Sequence, residues 1–395
     1  MKPLAYALVA ATIGCDSSPP DEAPVDPLLL LFRELSDDAE ARRIQIVASE
    51  IVDGPSDRPV LRRHGFRINA EYFYPASTVE TCAAVAALQE IERRGPAITT
   101  DTPLVFHPRF DDEPSVDRAD PTNLEGGAIT VGHEIRKLAI VSDDRAFNRL
   151  YDLVGHAEIN RRMWAAGLSS VAIHHRLSQR RTAEESRMTP YIELIGPSGV
   201  LTIPARTSRL SIPALDESAV AGLRVGHSFM GAEGRVEEPM DFRTKNRITI
   251  LDLQDLLCML VRPDVDLGKP GFELTDPHRA FLVEAMRLSP GASENPTFDA
   301  EAYPAVTYKP LLPGLARAVP LNGLDVYSKI GAAYGFTTDN AYVVERATGR
   351  AFFVTATIYT NPNGVLNDDD DEYDAVADPF FADLGEVLAR HFFAS

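Results

Sequence analysis

Apolar residues recur at helical spacing through the middle of the chain and alternate near its two ends, so the pattern predicts helices bracketed by strands. Residues 27–34 form an apolar run of helical length, and residues 42–51 (Arg-Arg-Ile-Gln-Ile-Val-Ala-Ser-Glu-Ile) alternate in part, as a strand does. A second extended segment covers about 62–70 and leads into a run of Cys82, Ala83, Val85, Ala86, Leu88 and Ile91. Pro75 fixes its own φ and biases Tyr74 towards extended backbone, so that helix is predicted to start beside Ala76 or Ser77. Gly95-Pro96 ends it. Amphipathic spacing resumes over 130–140 and again from 141 to 153, then gives way from about 179 to 242 to a stretch rich in Gly, Pro, Ser and Arg, read as a flap. Residues 250–260 and 277–288 are two further helices, the second introduced by Thr275-Asp276 and stopped by Pro290-Gly291. Residues 324–330, 340–345 and 351–359 read as strands, the last two a hairpin through Ala347-Thr348-Gly349, and 378–393 closes the chain as an amphipathic helix.

Length and composition narrow this picture. The chain has 395 residues, 45% of them hydrophobic, enough for one large core and one or two domains. Its formal net charge of −19 argues against a nucleic-acid partner, which would ask for a basic face. Residues 1–14 read as a signal peptide, with Met1-Lys2 before a short apolar run, and the consequence is export to the periplasm or cell envelope. Thr12-Ile13-Gly14-Cys15 resembles a bacterial lipobox with Thr12 where leucine is usual, which makes Cys15 the candidate for lipidation and the lipid anchor the protein's contact with a membrane. Residues 15–27 have the composition of a solvated tether, and 28–395 form the folded domain. Cys82 and Cys258 fall in apolar helical runs and are expected as buried thiols. Strands at both ends around a helical middle imply a discontinuous α/β lobe (about 28–95 and 300–395) and an all-α lobe (about 96–299).

Ser77 is the first candidate for chemistry. The first turn of a helix carries N–H groups without intrahelical partners and the positive end of the helix dipole, a favourable place for an oxyanion. Taken alone, the stretch reads rather as a serine that merely starts a core helix.

Three segments together resemble the boxes of serine β-lactamases and penicillin-binding proteins. Pro75-Ala76-Ser77-Thr78-Val79 is similar to the S-x-x-K box, with Glu80 where the family has lysine. Ser142, Asp143 and Asn148 match the second box, with Asp144 in place of its asparagine; Arg176-Leu177-Ser178 just beyond also resembles the family. Tyr327-Ser328-Lys329-Ile330-Gly331 is similar to the K-T-G box, and residues 240–380 resemble an exported subgroup of serine hydrolases. The resemblance implies an α/β (α+β) fold of the β-lactamase/transpeptidase-like type, an antiparallel sheet flanked by helices plus the all-α lobe. It implies that Ser77 attacks an amide or lactam carbonyl to form an acyl-enzyme, with Glu80, Ser142, Asp144 and Lys329 completing the catalytic group. The backbone N–H groups of Ser77 and Ala332 would form the oxyanion hole, while Lys329, orienting an anionic group, would meet a small-molecule or peptidoglycan-like substrate together with Gly331 and Asn148. Glu184 and Glu185 are loose counterparts of the family's deacylating glutamate. An inactive relative that binds a cell-wall fragment or a protein is the alternative.

The substitutions change the charge of the site. The family's Lys, Asn and Lys carry +2, whereas ionised Glu80 and Asp144 with Lys329 carry −1, which disfavours an oxyanion. Glu80 would be a weak base at its ordinary pKa of about 4.3 unless burial and Asp144 raise it. The reading calls for no cofactor and no metal: the acidic run at 368–372 lacks EF-hand spacing, and His133-Glu134 and His174-His175, which lack zinc spacing, read as ordinary surface or capping residues. Gly196-Pro197-Ser198-Gly199 is not a nucleophile elbow.

Overall fold

The computed structural model describes residues 26–393 apart from Asp37 and Pro114. The signal peptide, the lipobox cysteine and nearly all of the tether lie outside the described residues. A five-stranded antiparallel sheet has the order Leu324–Ala333, Phe336–Glu345, Ala351–Tyr359, Gln45–Val52, Val60–Phe66. The ends of the chain therefore meet in one sheet, with Gln45 opposite Thr357 and Glu50 opposite Phe352.

Alternation along these strands divides the sheet into two buried faces. Ile46, Ala48, Ala341, Val343, Phe352 and Val354 face one core, shared with the helices Pro27–Glu34, Leu312–Ala318 and Asp378–Phe393. Tyr342 and Phe353 face the larger core on the other side, built with the helices Glu80–Arg93, Val131–Val141, Asp144–Val154, His156–Ala165, Ile250–Val261 and Asp276–Arg287. The serine helix lies inside this second core: Cys82, Ala83, Val85, Ala86, Leu88 and Ile91 are all fully buried. Burial of such a face stabilises it by about 25 cal/mol per Å² of apolar surface, the term that overrides the modest propensity of its valine and isoleucine. Gly314 allows the closest helix contact on the first face, since a Cβ there would coincide with Ala382 O.

Helix bounds agree with the periodicity. The runs at 27–34 and 378–393 are observed as Pro27–Glu34 and Asp378–Phe393. Cys82 and Cys258 are both buried and unpaired.

The middle of the chain is not purely helical. Pro103–Phe106, Ile129–Thr130, Ile192–Gly196 and Gly199–Ile203 form a four-stranded sheet, and the last two are a hairpin around Pro197-Ser198 inside the stretch expected to be irregular. Leu104 pairs with Leu194 and Phe106 with Ile192 across nearly ninety residues. A four-residue strand carries little periodic signal of its own, and what stabilises it here is a partner remote in sequence. No helix among the described residues is long and apolar enough to cross a membrane.

Candidate active site

Ser77 lies in one 3₁₀ turn, Ala76–Val79, which runs directly into the helix Glu80–Arg93. The expected α-helical start is thus preceded by a tighter turn, held by Thr78, whose N–H and hydroxyl both donate to Pro75 O at 3.1 and 2.7 Å. Ala76 just before the serine has φ +45°, a left-handed conformation costing a non-glycine residue of order 1–3 kcal/mol. Ser77 is half-buried at the floor of an open cleft of about 1220 Å³.

The second box is the junction of two helices. Thr130 caps Val131–Val141 at its start, Ser142 ends that helix in the left-handed conformation (φ 57°, ψ 47°), and Asp143 caps the next by accepting from Ala146 N at 2.8 Å. The reversal at Ser142 aims its hydroxyl back at the serine helix, where it donates to Glu80 Oε1 at 3.3 Å. From the edge of the main sheet, Lys329 Nζ donates to Ser142 Oγ at 2.6 Å and to Ile330 O at 2.8 Å and lies 3.2 Å from Glu80 Oε2. Three segments separated by more than sixty residues each are thereby joined through one carboxylate.

Burial governs the protonation of this group. Glu80 is 0% exposed, and loss of hydration pushes its carboxyl up; Lys329 pulls it back, Asp144 raises it further, and hydrogen bonding from Lys329 and Ser77 lowers it, the balance coming to about 7 against an ordinary 4.5. Lys329 is pushed down, first by burial, with Glu80 acting against that. The three groups still sum to −1 when all are ionised, but Glu80 and Lys329 form a pair whose raised carboxyl is ionised only in part near neutral pH, while Asp144 accepts a short hydrogen bond from Ser178 Oγ.

Strand and serine turn touch backbone to backbone. A Cβ on Gly331 would lie 2.5 Å from Pro75 O, 2.7 Å from Ser77 N and 2.8 Å from Thr78 N, so only glycine fits. The next residue, Ala332, is exposed and lines the cleft with Ser77. Gly331 acts here through close approach.

Other expectations change. Asn148 does not reach the cleft as a substrate ligand: its Nδ2 donates to Leu177 O and its Oδ1 accepts from Leu177 N, both at 2.9 Å, which holds the 177–178 segment in place. Lys329, expected to orient an anion, is 2% exposed and committed to three oxygens of the protein. Glu185 borders the cleft, but its carboxylate accepts from Thr182 N at 2.8 Å in a reciprocal cap. His133 and Glu134 are fully buried rather than at the surface. With Asp120 they bring three ligand-type atoms within 4.8 Å of one another, but Arg149 bonds Asp120 and Glu134 at 2.9 Å each and Lys137 bonds Asp120 at 2.9 Å. Those two cations already fill the place a metal would take. His174 and His175 line the cleft, and burial pushes them down to about 3 and about 4, which keeps them neutral. Sequence reasoning missed Ser178 as the partner of Asp144, and the cleft wall that holds Lys245 and Tyr334.

Residues 60–194 match the model of the β-lactamase enzyme family termed Beta-lactamase2, a segment holding Ser77, Glu80, Ser142 and Asp144. Among solved structures, a β-lactamase from Burkholderia vietnamiensis superposes with a TM-score of 0.52 at 15% identity, covering 94% of this chain and 97% of that one. One from Burkholderia ambifaria gives 0.52 at 15% identity over 92% and 99%, and one from Sphaerobacter thermophilus gives 0.50 at 14% over 93% and 97%. At such identities the likeness is one of fold. The search of curated proteins found no match.

Proposed function

We propose that this chain, serine β-lactamase- and penicillin-binding-protein-like by its family match over residues 60–194 and by its fold, is a serine hydrolase that opens an amide or lactam bond through a Ser77 acyl-enzyme, with Glu80 as the base. The observation that carries this reading is the connected group of proton-holding side chains at the cleft floor: Ser77 beside Glu80, and Glu80 beside both Ser142 and Lys329. A base is most effective when its pKa lies near the working pH, and a carboxyl raised to about 7 meets that condition where an ordinary one does not.

In the proposed reaction Glu80 takes the Ser77 proton as Oγ bonds to the carbonyl carbon. The oxyanion faces the N–H groups of Ser77 and Ala332. Ser142, hydrogen-bonded to Lys329 and Glu80, hands a proton to the departing nitrogen and regains one from the pair, so the acyl-enzyme forms with no net change in charge at the site. The substrate would be a small molecule or a peptidoglycan-like fragment, met in the cell envelope if residues 1–14 direct export and Cys15 carries a lipid.

Incubation with a fluorophosphonate, followed by intact-mass measurement and peptide mapping, tests the reading. One adduct on Ser77, lost in Ser77→Ala, is expected. A wild-type protein that stays unlabelled while correctly folded would overturn it.

A further inference from the structure

The family resemblance gives the task of receiving the substrate's anion to Lys329, yet that ammonium is enclosed by Ser142, Ile330 O and Glu80. Of the cleft's other cations, Arg176 is bound to Asp152, Arg181 to Asp112 and Arg187 to Ala183 O, Arg180 is exposed, and Lys245 is held in the wall. Lysine is scarce enough for an inventory: of six in the chain, Lys2 lies outside the described residues. Lys137 is bound to Asp120, Lys269 to Asp252 and Asp255, and Lys309 to Met286 O and Val326 O. Lys245 alone among the described lysines has no carboxylate within 4.0 Å and no hydrogen bond from its amino group to the protein.

Its surroundings hold it in the cleft wall. Lys245 lines the same cleft as Ser77 and Ala332, with its ammonium 5.3 Å from the centre of the Tyr334 ring. Tyr334 follows Ala332 by two residues and packs edge-on, 5.2 Å between centroids, against Tyr74, three residues before the serine. The backbone around Lys245 is pinned. Lys245 N donates to Phe242 O at 3.1 Å, and Asn246 Oδ1 accepts from His174 N and His175 N at 2.8 and 3.1 Å. Phe242 itself is fully buried. An ammonium held over an aromatic face, facing the nucleophile's cleft and lacking a counter-ion from the protein, is placed to take one from a ligand.

We infer that Lys245 receives the anionic group of the acyl donor in place of Lys329, so that the cleft selects substrates bearing a carboxylate near Tyr334; this rests on the serine-hydrolase reading above. The role makes Lys245 a specificity residue and leaves Lys329 to the proton chemistry.

The test uses benzylpenicillin and its methyl ester, which differ by the one charge. Calorimetric titration of the Ser77→Ala protein removes chemistry from the measurement. The acid is expected to bind at least tenfold more tightly than the ester, the preference to fall to within twofold in Ser77→Ala/Lys245→Met, and Lys245→Arg to retain it. Lys245→Gln replaces the methionine variant should the latter misfold. A preference that survives both neutral substitutions, or acid binding too weak to measure, overturns the inference. Failure of the hydrolase reading shows differently, as an unlabelled Ser77 in a protein that still prefers the acid.

Discussion

Replacing Glu80 by glutamine removes the proposed base while keeping the size of the side chain. The carboxylate is fully buried, 3.3 Å from the Ser142 hydroxyl and 3.2 Å from Lys329 Nζ, and its pKa of about 7 sets the form of the rate profile. With that value the ionised fraction is roughly 1% at pH 5 and roughly 90% at pH 8. Acylation by wild-type protein should rise nearly tenfold per pH unit from 5 to 6.5 and level off above about 7.5. A positioned base contributes about 10²–10⁴ in rate, so Glu80→Gln should lower the plateau by about 3–5 kcal/mol of barrier and flatten the profile. Glu80→Asp, which draws the carboxylate back by about 1.5 Å, should fall between the two and keep the pH dependence. Quenched-flow labelling with a fluorophosphonate at constant ionic strength, read by intact mass, measures all three. Glutamine and wild-type rates within threefold of each other, or a wild-type rate flat from pH 5 to 8, would refute the assignment of the base.

Three further outcomes are expected. Glu90, 5% exposed, bonds Arg93 and Arg94 within its helix and Arg162 of the neighbouring helix, and these partners outweigh its burial and hold it down at about 2. Because folding lowers this pKa, its contribution is fully present above about 4.5 and lost as pH falls through about 2; Glu90→Gln should cost about 2 kcal/mol in urea unfolding at pH 7 and much less near pH 2. Gly331→Val would drive a side chain into Pro75 O and Ser77 N, and differential scanning calorimetry should show a loss of about 2 kcal/mol or more together with loss of Ser77 labelling. Burial pushes the Cys82 and Cys258 thiols up to about 12, so both should resist iodoacetamide in the native protein at pH 8 and react in guanidinium, as peptide mapping would record.

Much of the fold was legible because secondary structure follows local spacing. Helix Asp378–Phe393 and strand Ala351–Tyr359 could be bounded from periodicity, and the buried face of the serine helix could be named residue by residue. Motif order likewise pointed to Ser77, Ser142 and Lys329 as residues to examine together. What the sequence left open depended on distances through space. A charge count over Glu80, Asp144 and Lys329 suggested an overly negative site, but only the folded chain sets Glu80 3.2 Å from Lys329 and ties Asp144 to Ser178. The motif resemblance implied Asn148 as a substrate ligand, whereas its amide is consumed by Leu177. Pairing of Leu104 with Leu194 gave strands to a middle expected to be helical. Alternation and helical spacing depend on neighbours two to four residues apart and so can be read along the chain. A carboxyl's pKa, an ammonium's choice of partner and a short strand's survival depend on which remote groups folding brings within a few ångströms and how far it excludes water from them, and those were decided by the tertiary structure.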